Sequence, residues 1–267
     1  MTDLPLGKPV DAPRRVDPSV LRPLDRAAAR ERLGIVGSLP FNGEDVWRCY
    51  ELSWLRPGGL PRIGVLTLRI PCASPATVES KSLKLYLNGF AHTEFASGGD
   101  VVAQIATDLE GIVGTEVSAV ITDTPADPAP RDFTSFCLDG LPVDVDRYAP
   151  DAALLAPSGS MGTDAVHTHL FRSVCPITGQ PDWGSVAVSW RGKLLDRASL
   201  LRYLVSYRDA AGFHEDVVEG IFVDMRAATD ATELTVDGRF LRRGGIDLNP
   251  FRSTHRDRAP AFRLWRQ

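Results

Sequence analysis

The sequence predicts an α+β protein in which one unit, strand–strand–helix–helix–strand, occurs twice. Runs of alternating apolar residues between Gly and Pro predict the strands, and apolar residues at helical spacing predict the helices. In the first half the strands are expected at 46–55, 63–70 and 115–122, with helices at 79–90 and 100–113. In the second half they are expected at 166–174, 183–190 and 232–241, with helices at 196–210 and 214–227. The return of one element order in both halves is the main support for this fold class.

The two halves also match residue by residue, which indicates an internal duplication. The turn residues Gly59, Pro61 and Gly64 correspond to Gly179, Pro181 and Gly184. In the first helices Ser82, Leu83, Tyr86 and Leu87 correspond to Ser199, Leu200, Tyr203 and Leu204. In the second helices Asp100, Val101, Val102, Ile105 and Asp108 correspond to Asp216, Val217, Val218, Ile221 and Asp224.

This repeat predicts two modules joined by a linker. Residues 1–147 would form an N-terminal arm and the first module, residues 148–163 a linker rich in Asp, Pro, Gly and Ser, and residues 164–267 the second module. The arm is expected to be irregular apart from a short helix near 25–33. A Pro-rich break is expected at 124–130, and 133–145 could supply a further strand.

The composition is that of an ordinary globular protein, with 267 residues, 43% hydrophobic and 24% charged. No apolar run is long enough to span a bilayer, and the first 14 residues lack the apolar core of a signal peptide. The four cysteines are far apart, which favours free thiols in a reducing cytoplasm over a disulfide framework or a zinc motif. The sequence therefore predicts a cytoplasmic protein with no membrane partner and no metal.

The net charge of −4 argues against a general nucleic-acid binder, but positive charge is concentrated near the C-terminus. From Arg239 onward only two acidic residues accompany the arginines, which are Arg239, Arg242, Arg243, Arg252, Arg256, Arg258, Arg263 and Arg266. A basic segment of this kind predicts an anionic partner.

A short turn between two predicted strands carries a cysteine and an acid. Cys175 and Asp182 flank the turn signals Pro176, Gly179 and Pro181, so the two side chains are expected to face each other across the connection. A thiolate can attack an electrophilic carbon while a carboxylic acid protonates the heteroatom that gains electrons. The alternative is a buried structural cysteine beside a turn aspartate.

The differences between the halves favour a catalytic interpretation. Cys175 and Asp182 correspond to Leu55 and Arg62 in the first half, and the pair His214-Glu215 corresponds to Gly98-Gly99. In the other direction, the first half has the sequence Glu79-Ser80-Lys81 with Lys84, where the second has Asp196-Arg197-Ala198 with Leu201. Reactive groups are thus divided between the halves, which predicts one composite site rather than neutral drift.

Three further clusters have both a structural and a functional interpretation. Residues 79–84 open a helix, whose free N–H groups favour anions, but they could simply form a solvated helix start. His214-Glu215 opens a later helix, and because position 218 is valine the pair does not form a zincin motif. Residues 238–247 place arginines against glycines, which suits phosphate, although no Rossmann motif is present.

Four blocks together resemble the QueF family of NADPH-dependent 7-cyano-7-deazaguanine reductases in its long, two-module form. They are Glu79-Ser80-Lys81-Ser82-Leu83-Lys84-Leu85-Tyr86, the stretch from Cys175 to Trp183, Phe213-His214-Glu215, and Arg242-Arg243-Gly244-Gly245. The resemblance covers nearly the whole chain. It implies tandem tunnelling-fold (T-fold) modules of antiparallel sheets with paired helices, and a homodimer.

The resemblance also implies the reaction and the residue roles. A nitrile on a free base would be reduced to a primary amine by two NADPH, in queuosine biosynthesis and without binding of nucleic acid. Cys175 would form a thioimide, Asp182 would donate a proton, and His214 would assist. The implied substrate contacts are Val78, Glu79, Ser80, His214 and Glu215, and the implied NADPH contacts are Ser80, Lys81, Arg243 and Gly244.

Three other functions stay open at the level of sequence. A zinc cyclohydrolase of the related pterin type would need Cys and His ligands at metal spacing, which the sequence does not show. A thiol hydrolase of nitriles or amides would share Cys175 and the thioimide but use water. A non-catalytic RNA-binding module would use the basic tail and would not depend on Cys175.

Overall fold

The structure, a computed structural model, describes residues 4–5, 7, 12–123 and 130–267 of the chain. Its strands are β1 Pro23–Asp25, β2 Asn42–Leu55, β3 Pro61–Pro71, β4 Ala76–Val78, β5 Ser118–Thr122, β6 Phe136–Cys137, β7 Pro157–Thr168, β8 Arg172–Val174, β9 Pro181–Leu195, β10 Glu233–Phe240 and β11 Ile246–Ser253. Its α-helices are α1 Ala27–Arg32, α2 Ser80–Asn88, α3 Gly98–Val113, α4 Arg197–Ser206 and α5 His214–Thr229. The chain is therefore α+β.

Contacts within the chain define two compact units. The first unit contains Met1–Ala28, Asp45–Pro128 and Arg242–Leu248, and the second contains Ala29–Glu44, Ala129–Leu241 and Asn249–Gln267. Each unit is thus assembled from three separate segments. The module boundaries at 147 and 163 remain a prediction from the repeat.

The first unit contains a sheet in the strand order β5-β3-β2 and a small pair, β1 and β4. Strands β3 and β5 are antiparallel, with Leu66 opposite Ile121 and Leu68 opposite Ala119. The apolar faces of α2 and α3 join the sheet in one core, whose fully buried members include Leu66, Leu68, Leu83, Tyr86, Phe90, Val101, Ile105 and Leu109. Burial of this apolar surface is the main force that stabilises the unit.

The second unit contains strands in the order β11-β10-β9-β7-β6, with β8 on β9. The pairs formed by β9 with β7, β8 and β10 are all antiparallel, whereas the two-residue strand β6 is parallel to β7. Helix α5 packs on β9 and β10 through an apolar face that includes Val218, Ile221, Phe222 and Met225. Strand β9 is therefore central to the unit, and it carries Asp182 at its start.

The predicted repeat elements are confirmed, with changes at their ends. Helices α2 and α4 are shorter than predicted, because a 3-10 turn follows each of them at Gly89–His92 and Tyr207–Asp209. The predicted strand 166–174 is interrupted after Thr168, because the Asp139 carboxylate accepts the backbone N–H of His169. The ladder therefore loses a donor at that point.

Two predictions in the middle of the chain were wrong in part. Residues 157–163 of the expected linker belong to β7, and the possible strand at 133–145 is reduced to Phe136–Cys137. Of the expected break at 124–130, residues 124–129 lie outside the described part of the chain. Among the described residues no helix is long and apolar enough to cross a membrane.

The expected basic tail is in part a set of internal ion pairs. Arg239 is buried and forms a two-pronged hydrogen bond with Asp237, and Arg252 is buried against Glu219. Arg266 donates to the backbone carbonyl of His169. The prediction that this segment presents its arginines to an anionic partner is therefore wrong for Arg239 and Arg252.

Candidate active site

Cys175 lies in the tight connection between β8 and β9 and is buried, with 5% of its surface exposed. Its backbone N–H donates to the carbonyl of Gln180, and its own carbonyl accepts from Gly179, whose φ of +67° suits glycine. These bonds fix the cysteine backbone on both sides. The sequence signals for a turn at Pro176, Gly179 and Pro181 are confirmed.

Asp182 lies diagonally from Cys175 rather than directly opposite, which corrects the expected geometry. The β8–β9 register pairs Asp182 with Ser173 and Val174 with Pro181, and the bond from Cys175 to Gln180 continues it. Because alternate residues of paired strands share one face, Ser173, Cys175 and Asp182 lie on the same side of the hairpin. Diagonal neighbours of this kind have Cα atoms about 7–8 Å apart, within reach of a molecule between them.

The start of α5 is brought to this hairpin by the backbone. Val174 of β8 donates to the carbonyl of Ala210 and accepts from the N–H of Gly212, two residues before the helix. His214, the first residue of α5, then has its Nε2 3.7 Å from Oδ1 of Asp182. Its ring meets that of Phe240 edge to face, with centroids 4.1 Å apart. Cys175, Asp182 and His214 are therefore neighbouring parts of one unit.

Glu215 follows His214 in the first turn of α5 and is buried, with 4% of its surface exposed. One turn further along the helix, Glu219 accepts hydrogen bonds from the guanidinium groups of Arg30 and Arg252, at 2.8–3.0 Å. All three of these charged residues are buried. This triad fixes the rotation of α5 and so the positions of His214 and Glu215.

Ser173 is a candidate that the sequence reasoning did not single out. Its Oγ is buried and has no hydrogen-bond partner among the described residues. It lies on the face of Cys175 and directly opposite Asp182 in the register. Since buried hydroxyls are nearly always hydrogen-bonded, this Oγ is suited to a bound ligand or water. The only sequence signal was its position two residues before Cys175 on a strand.

In the first unit, Glu79 is the N-cap of α2. Its Oε1 accepts from the N–H of Lys81 and its Oε2 from the N–H of Ser82, both at 2.7 Å. The residue is completely buried, and Val78 before it is buried at the end of β4. The sequence interpretations of a helix-start charge and a hydrogen-bond acceptor are compatible, because each carboxylate oxygen has a second lone pair.

The other residues at the start of α2 are accessible. Ser80 and Lys84 are exposed and Lys81 is partly exposed. All three lie within the first five residues of α2. Backbone dipoles and lysine charges at such a position attract anions. The assignment of Ser80 and Lys81 to the phosphate groups of a cofactor stays a prediction, which the accessibility of both residues supports.

The glycine turn after β10 lies against this helix. Arg243 and Ile246 exchange backbone hydrogen bonds around Gly244 and Gly245, which have φ of +57° and +78°. A Cβ on Gly244 would lie 3.0 Å from Nζ of the flexible Lys84 side chain, so it is the positive φ that favours glycine at this position. Lys84 also pairs with Glu51 at 3.3 Å. Within the first unit, the structure therefore brings the Arg243-Gly244 turn next to α2.

The other cysteines differ from Cys175 in their surroundings. Cys49 is completely buried, and burial together with the nearby Asp247 raises the pKa of its thiol well above the ordinary range. Cys72 is also buried, and Cys137 is exposed on β6. Because the thiolate is the nucleophile, a thiol such as that of Cys49 is inert.

Two family models match this chain, one in each half. Residues 13–121 match the family model described as "Nitrile reductase, 7-cyano-7-deazaguanine-reductase N-term", and residues 181–259 match the model described as "QueF-like protein". A solved structure titled as the archaeosine synthase QueF-Like in the apo form aligns with 39% of this chain and 99% of its own, at 20% identity and a TM-score of 0.31. A likeness of that size does not define the fold.

Curated relatives match the chain over nearly its full length. The protein of Desulfotalea psychrophila is 42% identical and covers 99% of this chain and 97% of its own. That of Xanthomonas campestris pv. campestris (strain B100) is 45% identical over 94% and 93%, and that of Azoarcus sp. (strain BH72) is 43% identical over 95% and 91%. All three are named NADPH-dependent 7-cyano-7-deazaguanine reductase, and the chain belongs to this family.

Proposed function

We propose that this chain reduces the nitrile of 7-cyano-7-deazaguanine to the aminomethyl group with two NADPH, in queuosine biosynthesis. The single observation that carries the mechanism is the neighbourhood of Cys175, Asp182 and His214. A fixed thiol and a buried carboxyl group lie at one end of one hairpin, and an imidazole at the start of α5 is 3.7 Å from that carboxyl group. The relatives named above support the substrate and the cofactor.

The first step is attack of the Cys175 thiolate on the nitrile carbon. The new C–S bond converts one π bond of the nitrile into a lone pair on nitrogen, and the proton of Asp182 neutralises that nitrogen to give a thioimide. Asp182 is suited to this role because it is 97% buried, so its proton transfer is shielded from bulk water. His214 can return a proton to Asp182, because its Nε2 is 3.7 Å from Oδ1 of Asp182.

Two reductions follow at the same carbon, and NADPH supplies the hydride for each when it is bound. After the first, the C–S bond breaks and Cys175 leaves as a thiolate, so that an imine remains. After the second, the nitrogen takes protons through Asp182 and His214 to become the amine. Covalent attachment to Cys175 holds the thioimide in place until its reduction.

The deazaguanine base would be recognised by carboxylates. Glu79 and Glu215 are both buried, and a carboxylate accepts two N–H donors of the kind that a guanine edge offers. The N–H groups of Lys81 and Ser82 hold the two oxygens of the Glu79 carboxylate in place before the base binds, which reduces the entropy cost of binding. Val78, Ser80 and His214 complete the proposed substrate contacts.

The anionic groups of NADPH would bind at the start of α2. Ser80 offers a hydroxyl group and Lys81 an ammonium group, and both residues are accessible at the start of the helix, where the dipole favours an anion. Arg243 supplies a guanidinium group for bidentate contact, and Gly244 allows close approach of the backbone. These residues fit the cofactor by their chemistry, without a Rossmann motif.

The fold and assembly expected for this function are tandem T-fold modules in a homodimeric, cytoplasmic enzyme that binds no nucleic acid. Support comes from the repeated strand–strand–helix–helix–strand order in the structure. Size-exclusion chromatography with light scattering tests the dimer, and an assay with unmodified tRNA tests the absence of RNA binding.

The test of the reaction follows NADPH oxidation with 7-cyano-7-deazaguanine for the wild type, Cys175→Ala and the control Cys137→Ala. We expect two NADPH oxidised per nitrile in the wild type and in Cys137→Ala, and none above background in Cys175→Ala. Mass spectrometry without NADPH should show one substrate adduct, located on Cys175. An adduct with acid or amide as the product would instead indicate a hydrolase. Folded wild type with neither adduct nor oxidation would contradict the proposal.

A further inference from the structure

A group of two histidines and one aspartate lies in the second unit, and none of its members belongs to the residues assigned to the reaction. His167 is near the end of β7, His169 follows two residues later, and Asp132 lies on the segment before β6. One potential ligand atom from each lies within 4.8 Å of the others. Asp132 precedes His167 by 35 residues, so sequence spacing gave no sign of this group.

The distances are close to those of a metal site. Nε2 of His169 is 3.1 Å from Oδ1 of Asp132, and Nε2 of His167 is 3.9 Å from the same oxygen. In a tetrahedral zinc site with bonds of about 2.0–2.1 Å, neighbouring ligand atoms are about 3.3 Å apart. A small rotation of the Asp132 side chain, which is 51% exposed, would bring both distances near that value.

The imidazole of His169 offers a buried ring nitrogen to a metal ion. Its Nε2 is buried and makes no hydrogen bond among the described residues, although the Asp132 oxygen is only 3.1 Å away. A hydrogen bond also requires the N–H to point at the acceptor, and here it does not. Burying a ring nitrogen without a partner costs free energy, and a metal ion between the two atoms would remove that cost.

Both histidines are also held in the way that metal ligands are. Nδ1 of His167 is 2.9 Å from Oγ of Ser135, and Nδ1 of His169 is 2.8 Å from Oγ of Ser185. Hydrogen bonds at Nδ1 orient the rings, and Nε2 of both rings lies within 3.1–3.9 Å of Oδ1 of Asp132. Aromatic rings surround the pair, with centroids of Phe133 at 5.3 Å from His167 and of Trp265 at 6.3 Å from His169.

We propose that Asp132, His167 and His169 bind one zinc-type divalent transition metal ion, with water as a fourth ligand. Two imidazoles and one carboxylate suit such an ion better than Mg²⁺ or Ca²⁺, which prefer oxygen ligands. The site joins β7 to the segment before β6, and the C-terminal segment packs beside it through Trp265 and Arg266. An ion at this position would link these segments within the second unit.

The test uses the full chain without an affinity tag, stripped with a chelator and titrated with Zn²⁺ by calorimetry. We expect one ion per wild-type chain and a higher Tm with Zn²⁺, because the ion binds the folded state alone. Asp132→Asn and His169→Gln should weaken binding more than 100-fold, and Ser185→Ala about 10- to 100-fold, as for other groups that orient a ligand. His255→Gln, an exposed histidine of the same unit, should bind as the wild type does.

Cobalt distinguishes this site from the thiols of Cys137 and Cys175. Co²⁺ bound to two imidazoles and a carboxylate should give a visible d–d spectrum without the strong thiolate-to-metal band that a cysteine ligand would add. Circular dichroism of each stripped variant checks that it is folded. Wild-type affinity in folded Asp132→Asn or His169→Gln, or no binding by the folded wild type, would overturn the proposal. Neither the nitrile nor NADPH enters these measurements, so they stand apart from the proposed reaction.

Discussion

The two repeats share their helix-start chemistry but use it differently. Glu79 caps α2 by accepting from the N–H of Ser82, and Asp196 caps α4 by accepting from the N–H of Ser199, both at 2.7 Å. The hydroxyls of Ser82 and Ser199 each return a 2.7 Å bond to the cap carbonyl. Glu79 is buried, however, whereas Asp196 is exposed. The same cap thus occurs in both repeats, and only for the buried Glu79 have we proposed an additional role in binding the substrate.

The second helix of each repeat, α3 in the first and α5 in the second, differs in how its start is capped. Both α3 and α5 have 16 residues, but Ser97 caps α3 with a side-chain hydrogen bond and Phe213 makes none for α5. At the helix start α3 has Gly98, whose Cβ would lie 3.6 Å from the ring of Trp54, whereas α5 has His214 near Asp182. The first repeat therefore has a side-chain cap and a glycine at this helix start, whereas the second has no side-chain cap and a histidine 3.7 Å from a buried aspartate.

The largest expected effect distinguishes the two hairpins. Asp182→Asn should lower kcat/KM about 10²- to 10⁴-fold, because the amide cannot donate the acidic proton to the nitrile nitrogen. Arg62→Ala, at the corresponding position of the first repeat, is exposed and should change the rate little. Steady-state NADPH oxidation measures both. An equal loss in the two variants would mean that the hairpins have not diverged in function.

Replacing Glu219 should mainly affect stability. In Glu219→Gln the buried guanidinium groups of Arg30 and Arg252 lose their counter-charge, which costs about 3–5 kcal/mol. The matched control is Glu233→Gln, whose exposed pair with Arg191 is worth about 0–1 kcal/mol. Urea unfolding measures both free energies. If Glu219→Gln lost no more free energy of unfolding than Glu233→Gln, the triad of Arg30, Glu219 and Arg252 would not fix the position of α5.

The caps give a smaller effect that sharpens the comparison. Glu79→Ala and Asp196→Ala should each lower the free energy of unfolding by about 1 kcal/mol, because each leaves helix N–H groups without an acceptor. Only Glu79→Ala should also raise the KM for the nitrile, since Asp196 has no proposed ligand. Urea unfolding and steady-state kinetics are measured on both variants. A similar rise in KM for Asp196→Ala would contradict the division of roles.

The sequence was informative where physical constraints are local. Helical spacing and turn glycines predicted α2 to α5 and the Cys175 turn, and the repeat alignment matched Tyr86 with Tyr203 and Asp108 with Asp224. The structure adds that the tyrosine and the aspartate of each half are joined by a 2.6 Å hydrogen bond. Burial and the Asp224 carboxylate raise the pKa of Tyr203 far above its usual value, so its O–H stays protonated as the donor.

Features that depend on distant segments were not predictable. The diagonal position of Asp182 depends on the β8–β9 register, and the pairing of Arg252 with Glu219 depends on tertiary packing. In the same way, Asp132 and the two histidines meet only because β6 and β7 are neighbours. A composition-based inference, such as a free basic tail, fails when buried acids pair with the arginines.

The smallest expected effect concerns the first residue of α4. Arg197 donates to both carboxylate oxygens of Asp164, whereas its counterpart at the start of α2, Ser80, is exposed. The hydrogen bonds from Arg197 lower the pKa of Asp164 below its ordinary value. The folded state therefore binds this proton less readily than the unfolded state, so the pair stabilises the fold above the usual aspartate pKa of about 4.

That contribution should be lost as the pH falls from about 4 through the lowered pKa of Asp164. At neutral pH, Asp164→Asn should cost no more than about 1 kcal/mol, because the pair is partly exposed. Urea unfolding of wild type and variant across this range should give curves that converge in acid. Parallel curves would mean that Asp164 does not titrate with folding, and its pair with Arg197 would then not be the source of pH-dependent stability.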